Sequence, residues 1–99
     1  MKTDYSVIIA DKHSLIADGI AAVIQQYTSY NVLATVKTGK ALLKLLNTKK
    51  PDMILLDINM PEMDGIETAL QVKQLNKGIK VVFISMHWEL AIKNAIKKT

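Results

Sequence analysis

The chain has 99 residues, 49% of them hydrophobic, which makes one small globular domain with its own core and excludes both a disordered chain and two domains. Cysteine is absent, so neither a disulfide framework nor a thiolate metal site is available, and a reducing compartment is compatible with the sequence. The net charge of +4 gathers in the last third, at Lys73, Lys77, Lys80, Lys93, Lys97 and Lys98; with no arginine among them, these read as solvated lysines on helix faces rather than a nucleic-acid footprint.

The N-terminus carries Lys2 and Asp4, and its apolar run, Val7 to Ala10, is far shorter than a signal-peptide core or the ~20 residues of a membrane span. A soluble, cytoplasmic protein without membrane contact is expected. Tyr5 to Ala10 is the first strand, ending at Asp11. A helix follows over about Ser14 to Tyr27, with Leu15, Ile16, Ile20, Val23 and Ile24 at helical spacing. Asn31 to Thr38 is the second strand, and Thr38 is placed to cap a short helix through Asn47. Met53 to Asp57, bounded by Pro51-Asp52 and Met60-Pro61, reads as a third strand buried on both faces. Asp64 is a fitting N-cap for a helix from Gly65 to Gln74 carrying Ile66, Ala69, Leu70 and Val72, which Asn76-Lys77-Gly78 ends. Lys80 to Ser85 is the fourth strand, and Trp88 to Lys98 is a last amphipathic helix, basic on one side, whose simplest role is to cover the sheet.

This βαβα succession with short connections predicts an α/β fold: a doubly wound parallel sheet with right-handed crossovers and helices on both faces. In such sheets ligands bind outside the carboxyl ends of the strands. Three strand ends present polar groups there: Asp11, Asp57 and the hydroxyl of Ser85. A dinucleotide or P-loop site is excluded, because Asp11-Lys12-His13-Ser14 supplies no glycine-rich turn after the first strand.

These residues resemble the receiver domain of bacterial response regulators, a CheY-like, flavodoxin-like fold. The resemblance rests on Ile8-Ile9-Ala10-Asp11, on the highly specific run Leu55-Leu56-Asp57-Ile58-Asn59-Met60-Pro61-Glu62-Met63-Asp64-Gly65, and on Val82-Phe83-Ile84-Ser85. Asp11-Lys12-His13 with Leu15 and Gly19, and Ser85-Met86-His87, are most similar to the NarL/LuxR-type branch, in which a helix-turn-helix DNA-binding domain follows the receiver. The resemblance implies a phosphorylated switch in two-component signalling rather than an enzyme. Asp57 would accept a phosphoryl group from a histidine kinase, and Ser85 would contact that group and repack the segment holding Met86, His87 and Trp88. Asp11, Asp57 and the main-chain carbonyl of Asn59 would hold Mg2+.

The chain departs from the family pattern at two places. The family carries a second acid after the first strand, a main metal ligand, where this chain has Lys12, and an ammonium cannot ligate a cation. Lys12 either pairs with Asp57, lowering its pKa and replacing part of the metal's charge, or points to solvent and leaves a weak Mg2+ site. The family also places a lysine after a fifth strand, whereas the sequence reaches Thr99 before any fifth strand or helix and reads as a receiver, residues 1–99, cut from a longer regulator without its output domain. The fourth strand would then be an open edge, and a homodimer through that edge or through the last helix is expected.

Other readings of the same residues are a pseudo-receiver that only binds protein, and an aspartyl-phosphate hydrolase, ranked last because Asn59 stands where a second catalytic acid is needed. For Asp57 the plain structural alternative is an Asx-type turn carboxylate, and a simple turn acid is a more credible alternative for Asp11 than for Asp57. His13 and His87 read as surface or capping residues, since two isolated histidines lack ligand spacing. Met60, Met63 and Met86 read as gap-fillers.

Overall fold

A computed structural model describes residues 4–84. Its elements run β1 (Ser6–Ala10), α1 (Ser14–Tyr27), β2 (Asn31–Val36), α2 (Gly39–Leu45), β3 (Met53–Asp57), α3 (Gly65–Leu75) and β4 (Lys80–Ile84). These follow the expected succession to within two residues at most ends. Ser85, Met86, His87, Trp88 and the last helix lie outside the described residues.

All strand pairings are parallel and the sheet order is β2-β1-β3-β4. The two inner strands are the two apolar runs. In β1, Val7 to Ala10 are wholly buried, and in β3 Ile54 and Leu56 are too, as a strand covered on both faces requires. β2 alternates exposed and half-buried residues, the pattern of an edge strand wet on one face. Among the described residues β4 forms the other edge, with Phe83 45% exposed.

Strand alternation places the helices. Ile8, Ala10, Ile54 and Leu56 point to one face, where they meet Leu42 of α2 and Val72 of α3, with Met60 and Ile79 closing the cluster. Met60 is a gap-filler, as its flexible thioether suggested. Leu55 points to the opposite face, beside Ile16, Ile20 and Ile24 of α1. Among the described residues the sheet is therefore covered on both sides, by α1 on one and by α2 with α3 on the other.

Two of the apolar stripes differ from the expected ones. In α1 Leu15 and Val23 are exposed, and Ala17 is the buried residue, flanked by half-buried Ile16, Ile20 and Ile24. In α3 Ile66 and Leu70 face solvent while Gly65, Thr68 and Val72 are buried. The cause lies at the close approach of α3. A Cβ on Gly65 would stand 2.7 Å from Ile58 Cα and against the Asp57 carbonyl oxygen, and one on Gly39 would strike Thr68 Oγ1. The helix is thus rotated to present its smallest residues inward, and Thr68 is tolerated there because its hydroxyl donates to the Asp64 carbonyl at 2.8 Å.

Candidate functional site

Strand order reverses between β1 and β3: the chain steps outward from β1 to β2, then crosses back to build β3 and β4 on the other side. The crevice at this switch point lies at the carboxyl ends of β1 and β3. Asp11 directly follows β1 and Asp57 ends β3, so the two carboxylates meet there, 0% and 1% exposed.

Each acid uses one oxygen to shape its own loop. Asp57 Oδ1 accepts from the Asn59 main-chain N–H at 3.0 Å, and Asp11 Oδ1 accepts from the His13 main-chain N–H at 2.8 Å. These are Asx turns, so the plain structural reading of both acids holds for one oxygen each. The second oxygens, Asp11 Oδ2 and Asp57 Oδ2, are buried with no hydrogen-bond partner. A buried carboxylate oxygen left so is costly, and the cost is normally met by a partner or a cation.

The loop carrying Asp57 is held on both sides. Ile58 N–H donates to the Ile84 carbonyl at 3.2 Å, and Gly65 N–H donates to the Ile58 carbonyl at 2.8 Å. Asp64 caps α3 as expected, its Oδ1 accepting from Glu67 N–H at 2.8 Å, and Thr38 caps α2 by accepting from Ala41 N–H at 3.0 Å. Between them Glu62 adopts φ 70°, the left-handed region.

Burial pushes the Asp57 carboxyl above its usual value. The Asn59 N–H works against this; the charge of Asp11 and the proton the two acids can share add to it; Lys12 draws it down least of all. Of the two readings of Lys12, its exposure agrees with the one that points it to solvent, and its charge still lowers the Asp57 pKa, by less than burial raises it. Lys12 is exposed, and the ion pairs among the described side chains are His13–Asp11 at 3.2 Å and Lys40–Glu62 at 3.5 Å. Lys12 follows Asp11 on a bend, where the residue is exposed.

His13, read from the sequence as a surface or capping residue, is exposed and lies beside the two acids, a placement the sequence did not indicate. It stands at the N-cap of α1, yet its side chain makes no capping bond. The ring turns instead to Asp11, Nδ1 lying 3.2 Å from Oδ1. One ligand atom from each of Asp11, His13 and Asp57 lies within 4.8 Å of the others. The only signal in the sequence was adjacency, His13 being two residues after a strand-end acid. Ser85, the third predicted member of the site, lies outside the described residues.

The donor set fits a hard divalent cation. Two unpartnered buried carboxylate oxygens face one crevice, and a dication there would remove both their mutual repulsion and their lack of partners. The Asn59 residue is exposed at the rim of the same loop.

The model of the response regulator receiver domain family matches residues 7–99. The transcriptional regulatory protein DegU of Brevibacillus brevis is 29% identical over 93 residues, which are 94% of this chain and 39% of that protein. A NarL transcriptional regulatory protein of Mycobacterium tuberculosis is 36% identical over 86 residues, 87% of this chain and 40% of that one. A solved structure of a NarL signal receiver domain from the same organism matches with a TM-score of 0.79 at 32% identity, covering 87% of this chain and 69% of that one. The chain thus spans about 40% of the length of these curated relatives.

Proposed function

Since the chain belongs to the response regulator receiver domain family, in its NarL/LuxR-type branch, we propose that Asp57 accepts a phosphoryl group from a histidine kinase and that residues 1–99 act as the receiver that turns this into a conformational switch. The observation that carries the reading is the buried, unpartnered Oδ2 of Asp57 at the switch point of the sheet, facing Asp11. In the full-length protein the switch would act on a DNA-binding output domain, as the transcriptional relatives suggest.

The chain's own groups divide the work. Asn59 N–H fixes Asp57 Oδ1, which leaves Oδ2 as the nucleophile. Its lone pair forms the O–P bond as the N–P bond to the kinase imidazole breaks, and the leaving nitrogen takes up a proton. Asp11, Asp57 and the main-chain carbonyl of Asn59 would hold Mg2+, which supplies neutralisation of the phosphoryl charge when bound. Ser85 follows β4 directly, so a hydroxyl drawn toward the phosphoryl group would pull on the strand end that Ile84 ties to Ile58. That pull is the proposed output step. Copies of the chain would pair through the β4 edge, where Phe83 is exposed.

The test is intact mass after incubation with acetyl phosphate, with and without Mg2+. A phosphoryl adduct on the parent chain, lost in Asp57→Asn and in chelator, is expected. Lys12→Asp, which supplies the absent carboxylate, should raise the labelled fraction. An adduct that persists in Asp57→Asn, or none on either the parent or Lys12→Asp, would refute the reading; an adduct on Lys12→Asp alone would indicate a pseudo-receiver that works through protein contacts.

A further inference from the structure

We propose that the amino end of the sheet, opposite the end that holds Asp11 and Asp57, is a docking surface for single-stranded nucleic acid, where tyrosine rings stack on bases and loop lysines take the phosphates. The inference is independent of the phosphoryl chemistry and concerns groups which that chemistry leaves unused.

The topology gathers those groups. All strand pairings are parallel, so the first residues of the strands stand in one row. Main-chain bonds tie the row together: Asn31 N–H donates to the Tyr5 carbonyl at 2.8 Å, Asp52 N–H to the Ser6 carbonyl at 3.0 Å, and Lys80 N–H to the Asp52 carbonyl at 3.0 Å. On its β2 and β1 side stand the 3 tyrosines of the chain. Tyr5 and Tyr30 stack with ring centroids 5.5 Å apart, and Tyr27, the last residue of α1, is 74% exposed. On its β3 and β4 side stand Lys49, Lys50, Lys77 and Lys80, all exposed. With neighbouring strands about 4.8 Å apart, the row from Tyr30 to Lys80 is roughly 14 Å wide, room for a few nucleotides.

Between the two lysine-bearing loops lies a hollow of about 250 Å³. Leu46, Leu75 and Ile79 give it an apolar lining, and Asn76, Lys49 and Lys50 give it polar groups. Asn76 Oδ1 accepts from Gly78 N–H at 2.9 Å, which leaves the amide NH2 to donate to a base edge. The hollow thus pairs an apolar seat for a base with cations for the adjoining phosphate.

The fold does not account for these charges. Lys44 and Lys73 sit in the last turns of their helices and answer the helix dipole, and Lys73 Nζ donates to the Lys77 and Ile79 carbonyls. Lys49, Lys50, Lys77 and Lys80 stand in loops or at a strand start, outside the ion pairs of the described residues. The acids nearby are Asp4 and Asp52, and the Asp52 carboxylate accepts from Ser6 N–H at 2.8 Å. Lysines alone would serve any polyanion. The tyrosine rings and the apolar hollow select one whose charges alternate with flat rings, and a single strand exposes its bases where a duplex hides them.

The experiment is fluorescence anisotropy of labelled oligothymidylate titrated with the whole 99-residue chain across a range of salt. Unlabelled oligothymidylate, a duplex of equal length and polyglutamate serve as competitors. Lys49→Gln with Lys50→Gln, Tyr27→Ala, Tyr27→Phe, and Lys97→Gln with Lys98→Gln are each checked for fold by circular dichroism. Binding that weakens as salt rises is expected. The Lys49 and Lys50 pair of changes should cost roughly tenfold at low salt and reduce the slope of log affinity against log salt by about 1.4. Tyr27→Ala should cost about fivefold or more and Tyr27→Phe less than about twofold, because the ring does the stacking. The Lys97 and Lys98 changes should leave affinity within about twofold. Absence of binding at low salt would overturn the inference. So would polyglutamate or duplex competing as well as oligothymidylate, Tyr27→Ala binding like the parent, or a loss confined to the Lys97 and Lys98 variant.

Discussion

Asp57 is a charge kept where a charge is expensive. With Asp11 alongside and burial dominant, its ionised form is disfavoured in the fold relative to the unfolded chain, where the carboxyl titrates near 3.8. The sign follows. Below that value the group is neutral in both states and costs nothing; as pH rises through the raised folded value, the fold loses stability to it. Asp57→Asn should therefore stabilise the metal-free chain at pH 7, and the gain should vanish below about pH 4, where the carboxyl is neutral in both states. Thermal melts in chelator across that range check it, and a destabilised Asn variant at pH 7 would contradict it.

The acids were legible from the sequence because a strand end fixes where a residue sits, and Asp11 and Asp57 each close an apolar run. Lys12 and His13 were not, because loop geometry decides them. A bend sends Lys12 to solvent, and the Asx turn of Asp11 brings the His13 ring back over the carboxylate.

At the scale of elements, α3 matters most because it leans on the site. Its first residue, Gly65, lies against the backbone of Asp57 and Ile58, and its cap, Asp64, sets where it starts. Gly65→Ala forces a methyl group into that contact and should destabilise the chain by about 1–3 kcal/mol, measured by urea denaturation. Phosphoryl labelling should slow as well, because the Asp57 carbonyl and the Ile58 backbone must shift. An unchanged midpoint would show that the helix can slide. Glu62 offers the opposite change. A non-glycine residue at φ 70° costs roughly 1–2 kcal/mol, so Glu62→Gly should raise stability by up to about 1 kcal/mol after the added entropy of the unfolded chain. Spacing alone identified α3 as a helix but chose Ile66 and Leu70 for its buried face. What overruled spacing was close packing at Gly65 and Gly39, which a pattern of apolar residues does not encode.

For the whole molecule, the order β2-β1-β3-β4 explains why these two acids meet: the reversal between β1 and β3 is the one place where two inner strands of the sheet open a crevice at their carboxyl ends. The βαβα succession and the short connections made a doubly wound parallel sheet readable from sequence, and the strand order came with the family resemblance. Among the described residues β4 is a sheet edge with Phe83 exposed, and the self-association proposed for it predicts a mass by light scattering that rises with concentration. A monodisperse monomer at high concentration would contradict it. The connection from the site to this edge is short, running from Asp57 through Ile58 N–H to the Ile84 carbonyl.

That connection gives the most direct test of the central claim, that Asp57 with its cation is a phosphoryl-accepting switch. Amide spectra of the 15N-labelled chain would be recorded with Mg2+ before and after adding beryllofluoride, a mimic of the phosphoryl group. New resonances for Ile58, Asn59 and Ile84, absent in Asp57→Asn, are the predicted result. Spectra of the parent chain that do not change, with Mg2+ present and the fold intact, would contradict the account.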